Sequence, residues 1–384
     1  MPSRRSVLAG AGTLAGAGLA GCLNQDPAAD VSPGTDADTE WPQPGGTDRY
    51  DCYLKDAAAP REEPSERWTA ETSSPVGRPV VADGRVLLFT LGGLYAYDLE
   101  SGEEVWRLDM DDVEVRTSPT VVDGTAYLGV AFPHGVLAVD VEDGSRLWHA
   151  ELQRTPSTAP VVDHRRERLA VGTHGRLAGV DVEGEKLWSR RTFSSVSALT
   201  SWGDSIYAGT EGGELYCFYN YDDPRGRWRR QLDGTVEQIA QLNGSDIVVS
   251  VFGGPVERRD DSEAGASRWS RDTGFYGFVA AGNTYAVGHG LASISTRTGE
   301  RHWTVDDGLR ARPAGAGDTV YTGGEGFVAA FAMDGGIGVG DHRVGYERWR
   351  HGVDGEVFEG VSVADGAVFA TAADENGATL YALE

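Results

Sequence analysis

Eight tryptophans, Trp68, Trp106, Trp148, Trp188, Trp228, Trp269, Trp303 and Trp349, recur along the chain at intervals of 38, 42, 40, 40, 41, 34 and 46 residues. A step near 40 held over most of a sequence marks a repeat architecture, in which each unit buries its apolar face only against its neighbours. Glycine stands four residues ahead of several of them, as in Gly102-Glu-Glu-Val-Trp106, Gly144-Ser-Arg-Leu-Trp148, Gly184-Glu-Lys-Leu-Trp188 and Gly299-Glu-Arg-His-Trp303. Because repeat units pack on one another, the 384 residues need not be divided into two or three cores, and one repeat domain is expected over residues 61–384.

Within a unit the pattern is that of short strands. Pro79 to Phe89, Gly92 to Asp98 and Gly102 to Trp106 are apolar runs divided by glycine-bearing turns, and Pro119 to Tyr127, Gly135 to Asp140 and Gly144 to Trp148 repeat them. Such runs read as strands joined by hairpins. Weaker copies begin at Trp202-Gly203-Asp204, Asn243-Gly244, Gly282-Asn283, Gly317-Asp318 and Asp365-Gly366. No segment carries the 3.6-residue apolar period of a helical solenoid, and a β-helix would need shorter rungs. Four strands per unit of about 40 residues predicts an all-β, radial blade arrangement, a β-propeller of four-stranded antiparallel blades.

The two ends of the chain complement each other. Leu380-Tyr-Ala-Leu-Glu384 matches Leu94-Tyr-Ala-Tyr-Asp98, so the last unit stops one strand short, while Glu66-Arg67-Trp68 is a tryptophan strand with no unit before it. Together they make one composite blade, giving eight blades, with the N-terminal strand pairing beside the C-terminal blade and closing the ring, which removes the open edge. Seven blades with an irregular insertion is the alternative, because the units ending at Trp228, Trp269 and Trp349 are degenerate.

Residues 1–21 read as an address. Ser3-Arg4-Arg5-Ser6-Val7-Leu8 resembles a twin-arginine export signal, and the Gly/Ala-rich run Ala9 to Leu19 is too short for a membrane span. Leu19-Ala-Gly-Cys22 resembles a lipobox, with Cys22 as the lipidation site, so an exported protein anchored by lipid alone to the outer face of the cytoplasmic membrane is expected. Residues 22–60 hold Asp26, Asp30, Asp36, Asp38 and Glu40 together with Pro27, Pro33, Pro42 and Pro44, a composition that predicts a disordered tether. Trp41, out of phase with the repeat, is expected near lipid headgroups or simply exposed.

Acidic residues outnumber basic ones by 59 to 34, for a net charge of -25, and only two lysines occur, Lys55 and Lys186. That balance excludes a nucleic-acid partner, which needs a basic footprint, and fits a surface adapted to concentrated salt.

The stretches Ala96-Tyr-Asp98-Leu-Glu-Ser-Gly102-Glu-Glu-Val-Trp106 and Ala138-Val-Asp140-Val-Glu-Asp-Gly144-Ser-Arg-Leu-Trp148 resemble the tryptophan-docking motif of the pyrroloquinoline-quinone (PQQ)-like β-propellers. The resemblance covers residues 61–384, with departures at Val180 to Trp188, one residue short, and at Ser293 to Trp303, which lacks both the Ala and the Asp. It implies that the indoles dock against adjacent blades. Two functional classes follow from it. Quinoprotein dehydrogenases of this family hold a quinone with calcium on the propeller axis under a vicinal disulfide and use an Asp base; here the cysteines, Cys22, Cys52 and Cys217, include no adjacent pair. The outer-membrane assembly lipoproteins of the family are non-enzymatic eight-bladed scaffolds on a lipid tether, and in plan and size this chain is similar to them.

No catalytic constellation stands out: zinc spacing, a nucleophile elbow and a Walker loop are all missing from the sequence, and neither Asp109 to Asp112 nor Asp222-Asp223 has the spacing of a calcium loop. Cys217, within an apolar strand run, is expected to be a buried free thiol. Aligning the units on their turns places Arg78, Arg116, Glu237, Phe275, Tyr276, Arg310, Arg312, Phe358 and Glu359 where the innermost strands begin, a candidate rim for a peptide or small anion. The expectation is a monomeric, non-enzymatic binding or assembly module with a protein partner at the cell surface and no cofactor or metal. A quinone-dependent oxidoreductase and a cell-surface carbohydrate or polymer binder are the alternatives.

Overall fold

Each repeat builds its sheet by meandering outward. In the first unit Val80–Ala82 turns at Asp83-Gly84 into Arg85–Thr90, which reverses into Gly93–Asp98 and then Glu104–Asp109. The tight turn holds φ at 51° on Asp83 and 70° on Gly84, the left-handed region that Asp and Gly tolerate best. Leu87 faces Ala96 and Ala96 faces Trp106 across the antiparallel ladder. The computed structural model describes residues 23–24 and 31–384 apart from 110, 112, 243, 245, 275, 276, 289, 307, 340, 341 and 345. Arg4, Arg5 and Cys22, and with them the export and lipidation readings, lie outside the described residues.

Among the described residues, which hold no helix, six sheets are separate four-stranded meanders and an eight-stranded sheet carries two further sets of four. One set is Ala314–Ala316, the two halves of the run Thr319–Ala332, and Glu347–Glu356. That run doubles back at Gly323, Gly324 and Gly326, since Met333 N donates to Asp318 O at 3.0 Å. The other set is Val361–Ala364, Ala367–Ala373, Ala378–Leu383 and Glu66–Thr72. Here the two ends of the repeat region meet as expected: Trp68 faces Ala382, and Ser65 and Glu384 exchange backbone hydrogen bonds of 2.7 and 2.9 Å. The architecture is thus all-β and propeller-like.

The apolar residues of facing sheets form separate cores between neighbours, such as Val121, Leu128, Leu137 and Val139 against Leu87, Leu94 and Ala96. At the outer edge each core is closed by an indole. Trp68, Trp106 and Trp148 donate through Nε1 to Leu99 O, Val141 O and Val182 O of the next sheet, each at 2.9 Å. The glycine of the motif makes room for them: a Cβ on Gly102, Gly144 or Gly184 would stand 2.5, 2.7 or 2.9 Å from the preceding unit's indole. Glycine therefore serves the seam as well as the turn. Trp349 donates instead to Pro60 O at 2.8 Å, because the composite unit takes its outermost strand from the N-terminal side.

Residues 31–60 overturn the expected disordered tether. Trp41 is fully buried, and so are Cys52 and Ala57, while Tyr53–Leu54 pairs in parallel with Gly315 and Ala316. Acid and proline content suggested solvation, but the backbone of this segment has partners on the inner strands and its aromatics have apolar seats. Leu23 and Asn24 pair with Val339 and Gly338. None of the described helical segments, there being none, is long and apolar enough to cross a membrane.

Candidate functional site

Residues at the starts of the inner strands line one cavity, and residues 39–54 run across the far ends of those strands as a strap. Thr39 O accepts from Asp365 N, Trp41 and Val81 exchange two bonds, Pro42 O accepts from Val121 N, and Arg49 O, Asp51 O and Cys52 O accept from Gln241, Ala280 and Gly315 N, all at 2.8 to 2.9 Å. Asp48 reaches the two remaining inner strands, through His164 Nε2 at 3.3 Å and Thr200 Oγ1 at 3.4 Å. Arg49 also lies over the Trp202 ring at 4.8 Å. The donors are backbone N–H groups at the exit ends of the inner strands and the acceptors are carbonyls of the strap, so the strap closes that end of the cavity.

What remains is a blind cup of about 240 Å³. Its floor includes Gly45, Tyr50 and Cys52 from the strap; its wall includes Val76, Phe89, Leu199 and Ile239; and Arg78, Arg116, Glu237, Arg312 and Glu359 line it as well. Five of the nine rim residues expected from the sequence therefore converge. Arg310 pairs with Glu356 at 2.9 Å and is not among the residues lining the cup; Phe358 projects into solvent from the loop beside it. Phe275 and Tyr276 lie outside the described residues.

The charges within the cup are unequally served. Arg312 pairs with Glu237 at 3.2 Å and Arg116 with Glu114 at 3.1 Å. Arg78 is only 5% exposed, and its partners are Cys52 Sγ at 3.6 Å and Pro313 O at 3.4 Å, both through Nη1, with Trp41 stacked at 5.8 Å. Burial lowers its pKa and raises those of the Cys52 thiol and the Glu359 carboxyl. Under the floor, burial lifts Asp51 to about 6 despite the hydrogen bond from Thr47 Oγ1 at 2.6 Å. Gln238 holds the floor in place, donating to Phe278 O at 3.1 Å and to Tyr50 O at 3.4 Å. Cys52 and Cys217 are both buried and free, as expected for Cys217.

The sequence reading missed the strap's share of the site. A signal was present: Trp41, Tyr50, Cys52, Tyr53 and Leu54 are too many large or apolar residues in fourteen positions, 41 to 54, for a solvated linker.

The open end differs from the strapped end. In a meander of this kind the loops between units and the turns between second and third strands emerge together, as Leu91 N to Ser74 O and Phe252 N to Thr235 O confirm. Leu91, Phe132, Phe193, Phe252 and Phe358 all project from these connections, with exposures from 55% at Phe358 to 74% at Phe193. The other exposed large apolar residues among those described are Val76, also at this end, Val105, Leu147 and Leu187 on outer strands, and Tyr219, Tyr221 and Ile337 in or next to outer turns.

The family model described as outer membrane protein assembly factor BamB matches residues 58–275 and 287–384. No curated protein matches the chain. Among solved structures, BamB from Moraxella catarrhalis is similar, with a TM-score of 0.64 at 14% identity over 84% of this chain and 99% of that one. The quinohemoprotein alcohol dehydrogenase ADHIIG from Pseudomonas putida HK5 gives 0.67 at 13% identity over 93% and 83%, and a europium-containing methanol dehydrogenase 0.65 at 12% over 91% and 98%. At these identities the likeness carries the fold.

Proposed function

As the chain belongs to the PQQ-like propeller family described as outer membrane protein assembly factor BamB, we propose that it is a non-enzymatic docking scaffold, built as a closed ring of eight blades, exported and held at the outer face of the cytoplasmic membrane by lipid on Cys22. Its partner is a protein that lands on the open end. The observation that carries this reading is the segregation of Leu91, Phe132, Phe193, Phe252 and Phe358 around the open mouth, while backbone bonds to the strap occupy the other. Exposed aromatics gathered around one depression are the anatomy of a binding surface.

The cup is a poor fit for the calcium and quinone of the dehydrogenases. Its two acids stand among three guanidiniums, and Glu237 is committed to Arg312, so its field favours an anion over a divalent cation. Among the described residues no group of three or more His, Cys, Asp and Glu side chains is placed to hold a metal. The donor set thus supports the scaffold reading, and no chemical step is derived from it.

A photo-crosslinking residue at Phe193 should capture a partner in intact membranes, one at Tyr221 on the other end should not, and Phe132→Asp should weaken the Phe193 crosslink. Equal capture at both ends would sink the docking surface. Cys22→Ser should release the protein into the medium; a variant that still sediments with membranes would remove the anchor.

A further inference from the structure

Arg78 is a buried cation whose counter-charge is missing. A guanidinium carries five N–H donors, and here only Nη1 has partners, a sulfur and a carbonyl oxygen at long range; among the described residues no carboxylate pairs with it. Burial without a partner is costly for a charge, and the other two cup guanidiniums already have theirs in Glu237 and Glu114. Glu359 shares the cup, where burial raises its pKa against the pull of Arg312 and Arg78, but it makes neither an ion pair nor a hydrogen bond with Arg78. One guanidinium of the cup is thus without an ion-pair partner while the other two have theirs, which favours a single negative charge, a carboxylate, over a phosphate dianion. The cup that Arg78 lines has an apolar part, Val76, Phe89, Leu199 and Ile239, beside hydroxyls such as Ser118, Thr158 and Ser197. A Cβ on Gly360 would come within 3.1 Å of Arg78 Nη2, so that glycine keeps the guanidinium's free edge clear.

We propose that the strap-floored cup binds a monocarboxylate with a short apolar body, whose carboxylate takes the open edge of Arg78 while its body lies against Val76, Phe89, Leu199 and Ile239. The carboxylate can come from a free acid or from the C-terminus of a polypeptide ending in an apolar residue; the chemistry is the same. The cup's volume of about 240 Å³ suits either.

The test is calorimetric titration of the full chain with hexanoate, with its neutral isostere hexanamide, and with a tripeptide ending in leucine as free acid and as amide. Binding of hexanoate or of the peptide acid is expected, with the matching amide at least about tenfold weaker, because the amide cannot form the charge-assisted hydrogen bonds to Arg78. Hexanoate alone points to a free acid and the peptide acid alone to a chain end. Arg78→Gln should weaken binding by the same factor, and Arg107→Gln, on an outer strand, should leave it unchanged. No binding by either acid, equal binding of acid and amide, or indifference to Arg78→Gln overturns the proposal. Should Arg78→Gln not fold, phenylglyoxal labelling of the unaltered protein replaces it. Hexanoate should then slow modification of Arg78 relative to hexanamide, and equal rates would count against the site.

Discussion

The seam between the first and second meanders and the seam between the third and fourth are built from the same residue type and end differently. At the first, Trp106 lies on Gly144 and donates to Val141 O at 2.9 Å. At the second, Trp188 lies over Gly179 of its own sheet, where a Cβ would be 2.1 Å from the ring, and its buried Nε1 has no hydrogen-bond partner. The receiving turn explains the difference. The fourth unit turns through Asp222-Asp223-Pro224-Arg225-Gly226, which puts Pro224 rather than a glycine four residues ahead of Trp228, and Gly226, already in the strand, has nothing within 4 Å of its would-be Cβ. At these two seams the bond goes with the glycine of the receiving turn, and Trp188 without one supplies burial alone; Trp349 finds its acceptor, Pro60 O, through the composite unit instead.

The contrast can be broken by substitution, measured as unfolding free energy in denaturant. Trp106→Ala should cost the most, about 3 to 5 kcal/mol, the range for deleting a buried aromatic. The strap crosses both seams, and pH probes it. Asp51 is raised from 3.8 to about 6 by burial, so the folded chain holds this proton more tightly than the unfolded chain. Its stabilising contribution is complete below about pH 4 and is lost as pH rises through 6. The loss is bounded by about 3 kcal/mol at 1.36 kcal/mol per pH unit, and Asp51→Asn should abolish it; an equally steep decline in that variant would assign the pH dependence elsewhere. Gly144→Ala should cost about 2 to 3 kcal/mol, from overpacking against Trp106 and from a positive φ, whereas Gly226→Ala should stay within about 0.5 kcal/mol. A difference between two substitutions carries the sharpest sign. Trp106→Phe should lose about 1 kcal/mol more than Trp188→Phe, because only the former gives up a hydrogen bond; equal losses would mean the two seams are energetically alike.

Much of this was legible from residue spacing. The composite unit at the chain ends, the indole ladder, and the convergence of Arg78, Arg116, Glu237, Arg312 and Glu359 all follow from a period and a turn register, which are local and repeated. The strap was not legible, because its bonds run through backbone carbonyls of Thr39, Pro42, Arg49, Asp51 and Cys52, which any sequence possesses. Composition weighed Asp36, Asp38 and Glu40 and passed over Trp41, whose burial decides the path. The doubled-back run Thr319–Ala332 was hidden for another reason: its reversal at Gly323, Gly324 and Gly326 carries no Asn-Gly or Asp-Gly hairpin signal.

The route of the strap also sets a polarity. The chain reaches the repeats from the sealed end, where Trp41 meets Val81, and the lipid proposed for Cys22 would stand next to Leu23 and Asn24, which pair with Val339 and Gly338 of the body. A body moored in that way turns its sealed end toward the bilayer and its cup outward, so a visitor arriving from outside meets Phe193 and Phe132 before it meets the lipid.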